Sequence, residues 1–294
     1  SLDNLRAAAG RAAFPSPRVG AEATSATESM RRSETTTSRD EKRAVNAWDH
    51  GYLIAQRYLQ NPMLLNGRKF DLRVYWLIAS LDPLIVLYRD GTLRVSLSKF
   101  TRDRFNHVGT HLTNAVVQKT KSNDFEEHKE MSRVSFVDFE AYLQVNQSPH
   151  FGGKSGRVLV EELRCKMQQA LLSIVQASRK VLLKSVSASR SATKMENAFS
   201  LLGADFMVDT NLDIWITEVQ SGPGLPTNTR AVAEVMDSMI PEAMDIVLEI
   251  RERQLSLKPT QSLRSIREFD LLIHEEEDYK QAPACARRLF AAKP

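Results

Sequence analysis

From Tyr52 onward the chain alternates apolar runs with short polar breaks, and the breaks mark where its elements end. "YLIAQRYL" is a short apolar element, "NPMLLNGR" reads as a loop, and "KFDLRVYWLIAS" is a strand rich in β-formers. Asp82-Pro83 predicts a turn, "LIVLYR" a returning strand, Asp90-Gly91 a second turn and "TLRVSLSKF" a third strand. Together these predict an antiparallel meander. After a polar loop holding "GTHLTNAVVQKT", the stretch "DFEEHKEMSRVSFVDFEAYLQV" is mostly helical or irregular, and "HFGGKSG" is a connector. "GRVLVEELRCKMQQALLSIVQASRKVLLKSV" repeats apolar residues every three or four positions and predicts a long helix. "AFSLLGADFMVD" and "DIWITEV" form a hairpin, and "NTRAVAEVMDSMIPEAMDIVLEIRERQL" gives one or two helices with a break before Pro241. From Lys258 onward the chain is charged and poorly patterned.

The order of these elements predicts an α+β fold, helices covering a largely antiparallel sheet. Residues 1–44 carry clustered Ala, Ser, Thr, Arg and Glu with almost nothing large and apolar to bury, which predicts disorder. The Arg/Ala bias near the start resembles a transit peptide in composition, but Asp3 precedes it and no amphipathic stripe follows.

At 294 residues and 42% hydrophobic the chain can build a sizeable core. Its 40 Lys and Arg against 36 Asp and Glu give a net charge of +4, a mild lean toward an acidic partner. Cys165 and Cys285 stand far apart with no CxxC spacing, so neither a disulfide framework nor a zinc site is indicated. Asp82-Pro83 splits the most apolar stretch into runs too short to span a bilayer. No membrane or nucleic-acid partner is expected.

Candidate chemistry concentrates in two places. If Thr210 to Asp213 form the loop of the late hairpin, Asp209 pairs with Ile214, Val208 with Trp215, and Asp205 falls opposite Glu218. Gln220 then shares their face, because alternate strand residues point the same way. Two carboxylates directly across a strand pair repel, and a divalent cation between them would reverse the sign. A solvated strand face is the other reading. In "GRKFDLRVYW", alternation puts Phe70, Leu72, Val74 and Trp76 on one face and Lys69, Asp71, Arg73 and Tyr75 on the other, with Arg94 of the third strand available to join them. Cations flanking an acid suit a grip on phosphate oxygens, although a self-neutralising exposed strand looks the same in sequence. "GGKSG" is no P-loop, since Ser148 stands where the first glycine is required and no strand precedes it. His107, His111, His128 and His150 lack metal-ligand spacing and read as surface residues.

Taken in order, "AQRYLQNPMLLNGRKFDLRVYWL", "DPLIVLYRDGTLRVS", "HLTN" and "LLGADFMVDTNLDIWITEV" resemble the tubulin tyrosine ligase-like family over residues 50 to about 250. These are ATP-grasp ligases that attach an amino acid to protein, most often tubulin. The resemblance implies an ATP-grasp-like fold and a ligase that activates a carboxylate as an acyl phosphate for attack by an amine, with ATP and Mg²⁺ as cofactors. It implies that Asp205 and Glu218 hold the nucleotide's Mg²⁺, with Gln220 where the family has Asn. Lys69, Asp71, Arg73 and Arg94 would line the nucleotide and substrate site. Asn114 would sit beside the bound nucleotide or substrate, and Gln56, Arg57 and Tyr58 of "AQRYL" would border the adenine pocket. It also implies a free amino acid, with glutamate a candidate, and tubulin or microtubule tails as partners, and a cytoplasmic place at the cytoskeleton or cilium. The family's upstream Lys-Pro pair and Gly/Arg-rich loop have no counterpart in residues 1–50, so the expected layout is residues 1–44 disordered, a partial ATP-grasp catalytic domain over 45–253, and a charged tail over 254–294. A truncated module of this family that binds microtubules without catalysis is the alternative.

Overall fold

The computed structural model describes residues 56–103, 107–121, 125–188 and 198–276, with side chains left aside at 121 and 182–188. The expected N-terminal disorder and the element "YLIA" lie outside these residues. The elements are β1 (Leu64–Leu65), β2 (Arg68–Leu81), β3 (Leu84–Lys99), α1 (Val108–His111), α2 (Ala115–Lys121), α3 (Phe125–His128), β4 (Arg133–Ser135), α4 (Phe136–Asn146), α5 (Gly156–Ala188), β5 (Ser200–Val208), β6 (Ile214–Gln220), α6 (Arg230–Leu255) and β7 (Asp270–His274). One sheet runs β4-β3-β2-β5-β6, with β1 added to β2 and β7 to β3. Every pairing in it is antiparallel, as the order of elements predicts.

Alternation along β2 sorts its side chains as the sequence implies. Phe70, Leu72, Val74 and Trp76 are buried against α4 and α5, where Phe139, Leu143, Leu159, Leu163, Met167 and Leu171 repeat at helical spacing. Each such fully buried side chain contributes roughly 1.5–3 kcal/mol. On the opposite face Tyr75, Leu77, Ala79, Ile85 and Leu87 pack under α6 through Val232, Met236, Met239, Ala243, Ile246 and Ile250. The first residues of β2 on that second face, Lys69, Asp71 and Arg73, are buried but polar. One end of the face therefore belongs to the core and the other to charge.

Five elements differ from the sequence reading, the first being "GTHLTNAVVQKT", which forms the short helices α1 and α2 around residues 112–114 and not a loop. Asp90-Gly91 is not a turn: β3 runs unbroken through it, and Gly91 is the extra residue of a β-bulge, since Arg73 pairs with Thr92 but Val74 pairs with Asp90. That single insertion shifts the phase, so Thr92 and Arg94 share a face with Arg89 and Leu87. A Cβ at Gly91 would overlap the carbonyl oxygen of Arg73 and lie 2.8 Å from Cε2 of Tyr75. Gly91→Ala is expected to cost about 1–3 kcal/mol by overpacking, read as a lowered urea midpoint; an unchanged midpoint would mean that the bulge tolerates a side chain.

Within "NPMLLNGR", Leu64 pairs with Lys69 across a two-residue Asn66-Gly67 turn in which both φ angles are positive, 50° and 74°, so a strand and hairpin replace the expected loop. Helix α6 does not break at Pro241, because proline sits on its exposed side while the buried stripe continues on both sides of it. Residues 258–276 are not an unpatterned tail: β7 pairs Ile85 with His274 and Tyr88 with Asp270, and Leu263, Phe269, Leu272 and Ile273 are buried. No helix of the described residues is long and apolar enough to cross a membrane.

Candidate functional site

Strand register lines up charged residues across the whole sheet. Arg133 of β4 is directly opposite Arg94 of β3, Arg94 opposite Asp71 of β2, Arg73 opposite Asp205 of β5, and Asp205 opposite Glu218 of β6. Directly paired residues point to one face, so these side chains form a row on the part of the sheet beyond α6's apolar contacts. The Asp205–Glu218 pairing matches the sequence count, yet the turn does not. Val208, not Asp209, pairs with Ile214, and a bulge at Thr217 restores the register; its hydroxyl donates to the Asp205 carbonyl at 3.0 Å.

Inside the row the charges are closely knit. Nε and Nη2 of Arg73 both donate to Asp205, the latter at 3.0 Å, and Nη2 of Arg94 donates to the second Asp205 oxygen. Nε of Arg94 donates to Asp71 at 2.6 Å, and the Thr113 hydroxyl donates to the other Asp71 oxygen. Asp205 is 1% exposed. Burial alone would raise its pKa, but the Arg73 hydrogen bond and the Arg94 charge outweigh it and hold the carboxyl below its ordinary range. Glu218 goes the other way: the hydrogen bond shared with Asp205, then burial and the Asp205 charge, raise its pKa. Its side chain is half exposed, 3.9 Å from Nη2 of Arg73, and accepts a hydrogen bond from Nε2 of Gln220. Two neighbouring carboxyls driven apart in pKa make this end of the row a candidate functional site.

A second group adjoins the row. Burial lowers the pKa of Lys69, whose ammonium donates to the His111 carbonyl at 2.8 Å and lies 5.1 Å from the Tyr58 ring centre. The Tyr58 hydroxyl and Nδ1 of His111 are 2.8 Å apart, and Phe100 meets the imidazole edge-on. The surface reading of His111 is therefore incorrect: it is 8% exposed, covered by these rings. Asn114 is exposed and its side-chain oxygen caps α2 by accepting from the Val116 amide at 2.9 Å. Gln56 and Arg57 are exposed and lie outside the unit that begins at Tyr58.

The structure thus brings together Lys69, Asp71, Arg73, Arg94, Asp205, Glu218 and Gln220, with Tyr58 and Asn114 nearby. Sequence reasoning missed Thr113, which stood inside the quoted "HLTN", and Arg133, whose three-residue strand gives no periodic signal. A cavity of about 770 Å³ lies elsewhere, between α4, α5 and α6 around Asp90, Arg164 and Asp270.

The donors suit a hard cation in chemistry. Asp205 and Glu218 offer carboxylate oxygens from paired positions, and the Gln220 amide oxygen is available on the same face once its Nε2, which donates to Glu218, turns away. No group of three or more His, Cys, Asp or Glu that could hold a metal occurs among the described residues. A cation here would need most of its ligands from phosphates and water, which is how Mg²⁺ usually binds with nucleotides. The adjoining carboxyls, which share a hydrogen bond, are the place such an ion would take.

A family model described as "Tubulin-tyrosine ligase family" matches residues 26–255. Among curated relatives, the human "Inactive polyglycylase TTLL10" is 33% identical over 228 residues, covering 76% of this chain and 32% of that protein. The Bos taurus "Probable tubulin polyglutamylase TTLL9" is 33% identical over 215 residues, covering 73% and 42% respectively. The Mus musculus "Tubulin polyglutamylase TTLL6" is 26% identical over 200 residues, covering 66% and 23%. The chain spans less than half the length of these relatives.

Proposed function

The chain belongs to the tubulin-tyrosine ligase family, and from that membership we infer an ATP- and Mg²⁺-dependent ligase, or the C-terminal catalytic portion of one, that attaches an amino acid to tubulin or another acidic protein. The observation that carries this reading is the charged row ending in the Asp205–Glu218 pair. Names of relatives favour glutamate or glycine as the amino acid, and a protein that modifies tubulin would work in the cytoplasm, at the cytoskeleton or cilium.

ATP, when bound, supplies the phosphoryl group that activates a carboxylate, and Mg²⁺ offsets the charge on its phosphates. Asp205, Glu218 and Gln220 would hold the ion. Arg73 and Arg94, fixed by their acids, present positive charge without reorganising as negative charge develops. Lys69 and Asp71 line the same face, with Tyr58 over Lys69 and Asn114 next to the Thr113 that holds Asp71.

Glu218→Gln tests this reading. Because Glu218 is half exposed, the variant should unfold at nearly the wild-type midpoint while losing Mg–ATP affinity at least tenfold, measured by isothermal titration calorimetry. Absence of wild-type binding at millimolar ATP would overturn the ligase reading for this chain.

A second reading has its own support. Both oxygens of Asp205 are occupied by guanidinium groups, which suits a module that keeps the fold without turning over. Such a module would bind microtubules through basic surface. Co-sedimentation that falls with salt, yet ignores both ATP and Glu218→Gln, would favour it.

A further inference from the structure

The row carries more positive charge than its acids neutralise. Lys69, Arg73, Arg94 and Arg133 face Asp71, Asp205 and Glu218, and Glu218 shares a hydrogen bond with Asp205. Arg73 and Arg94 are paired with acids. Arg133 is not: among the described residues it has no carboxylate within ion-pair distance, and its contact is Nη1 donating to the neighbouring Ser132 carbonyl at 3.1 Å. It stands opposite Arg94 on the edge strand, only partly exposed. Burial, then the Arg94 and Arg73 charges, bring the guanidinium down to about 10, outweighing Asp71. A half-buried arginine beside two others, with no acid of its own, lacks an anion.

Its place on the sheet indicates which anion. β4 and β5 are separated by β3 and β2, and Arg133 is in line with Asp71 while Asp205 is in line with Arg73, which sets the backbone of Arg133 about 16 Å from that of Asp205 at the usual strand spacing. The nucleotide phosphates, on the proposed function, belong with Asp205 and Glu218 at the far end. We propose that Arg133 binds the carboxylate of the incoming amino acid, its planar guanidinium gripping both oxygens at the end of the row away from the phosphates. This rests on the ligase reading and adds a specificity-determining residue to it. The recognised chemistry is an amino acid with a free α-carboxylate.

The test uses the full chain with saturating Mg²⁺ and a non-hydrolysable ATP analogue, titrated with L-glutamate, glycine and glycinamide. Wild type should bind glutamate or glycine and reject glycinamide. Arg133→Met, which keeps the aliphatic stem, should bind the analogue as wild type does, bind the amino acids roughly ten- to a hundredfold more weakly, as for loss of a charged hydrogen bond, and no longer distinguish glycine from glycinamide. Arg133→Lys keeps the charge without the planar fork; it should recover only part of the affinity, and it serves as the readout if the Met variant does not fold. Three results would overturn the assignment: unchanged amino-acid affinity in both variants, no wild-type affinity for either amino acid, or loss of analogue binding instead, which would give Arg133 to the phosphates. Wild type that binds no nucleotide overturns the ligase reading and this proposal with it; nucleotide and amino-acid binding indifferent to Arg133 overturns this proposal alone.

Discussion

Asp205→Asn should destabilise the fold by about 3–5 kcal/mol, the cost of leaving buried charges without their partner. Two guanidinium groups share this one carboxylate, and the Arg73 and Arg94 side chains are only 9% and 14% exposed. An asparagine has the same shape but one acceptor oxygen, and its amide would present hydrogens to groups that only donate. Arg94 retains Asp71, whereas Arg73 keeps Glu218 at 3.9 Å and the Tyr75 hydroxyl. Loss of the Asp205 charge also removes the principal causes of the raised Glu218 pKa, so Glu218 should titrate closer to its ordinary value in a variant that remains folded. Urea unfolding would read the stability and carboxyl NMR the titration. The contrast with Glu218→Gln is the informative part. These two acids are directly paired, yet one is buried and the other half exposed, so one variant should lose stability and the other chiefly metal–nucleotide affinity. Similar stability losses from both would show that burial does not separate their roles.

The faces of β2 were legible in sequence because a strand alternates with a period of two, and a charge at every second position is visible without coordinates. The Asp205–Glu218 pairing was legible in outcome although two errors cancelled: the loop is one residue longer than assumed, and the Thr217 bulge takes up that residue. Bulges were the illegible part. Nothing in "YRDGTL" distinguishes a tight turn from a glycine inserted into a continuous strand; the close approach to the Arg73 carbonyl decides between them. Asn66-Gly67 carried a strong hairpin signal, overlooked because the strand before it has two residues. Pro241 misled because its local cost is outweighed by the buried stripe that continues on both sides of it. Arg133 could not be found at all, since its importance arises from pairing with a strand about forty residues away.

The segment after α6 was illegible for a different reason: one buried acid organises it. Glu242 is 1% exposed on α6. Its Oε1 accepts the backbone amides of Arg267, Glu268 and Phe269 at 2.6, 2.7 and 3.0 Å, and Oε2 accepts Nη1 of Arg89 at 3.0 Å. A single carboxylate therefore anchors the turn that leads into β7 and ties α6 to β3. Glu242→Ala would leave three buried or part-buried amides without an acceptor, while Arg89 would keep Ser238 and the exposed Glu268. Each orphaned donor costs about 1–3 kcal/mol, and the effects overlap, so a total of about 3–5 kcal/mol is expected. Glu242→Gln keeps one carbonyl oxygen for the amides and should cost less. Hydrogen exchange should show the loss locally, with protection falling first at Arg267–Phe269 and along Asp270–His274, before β2 and β5 open. Uniform loss of protection throughout the sheet would instead mean that the segment and the charged row unfold as one unit, and that the order and stability of the proposed site depend on this turn.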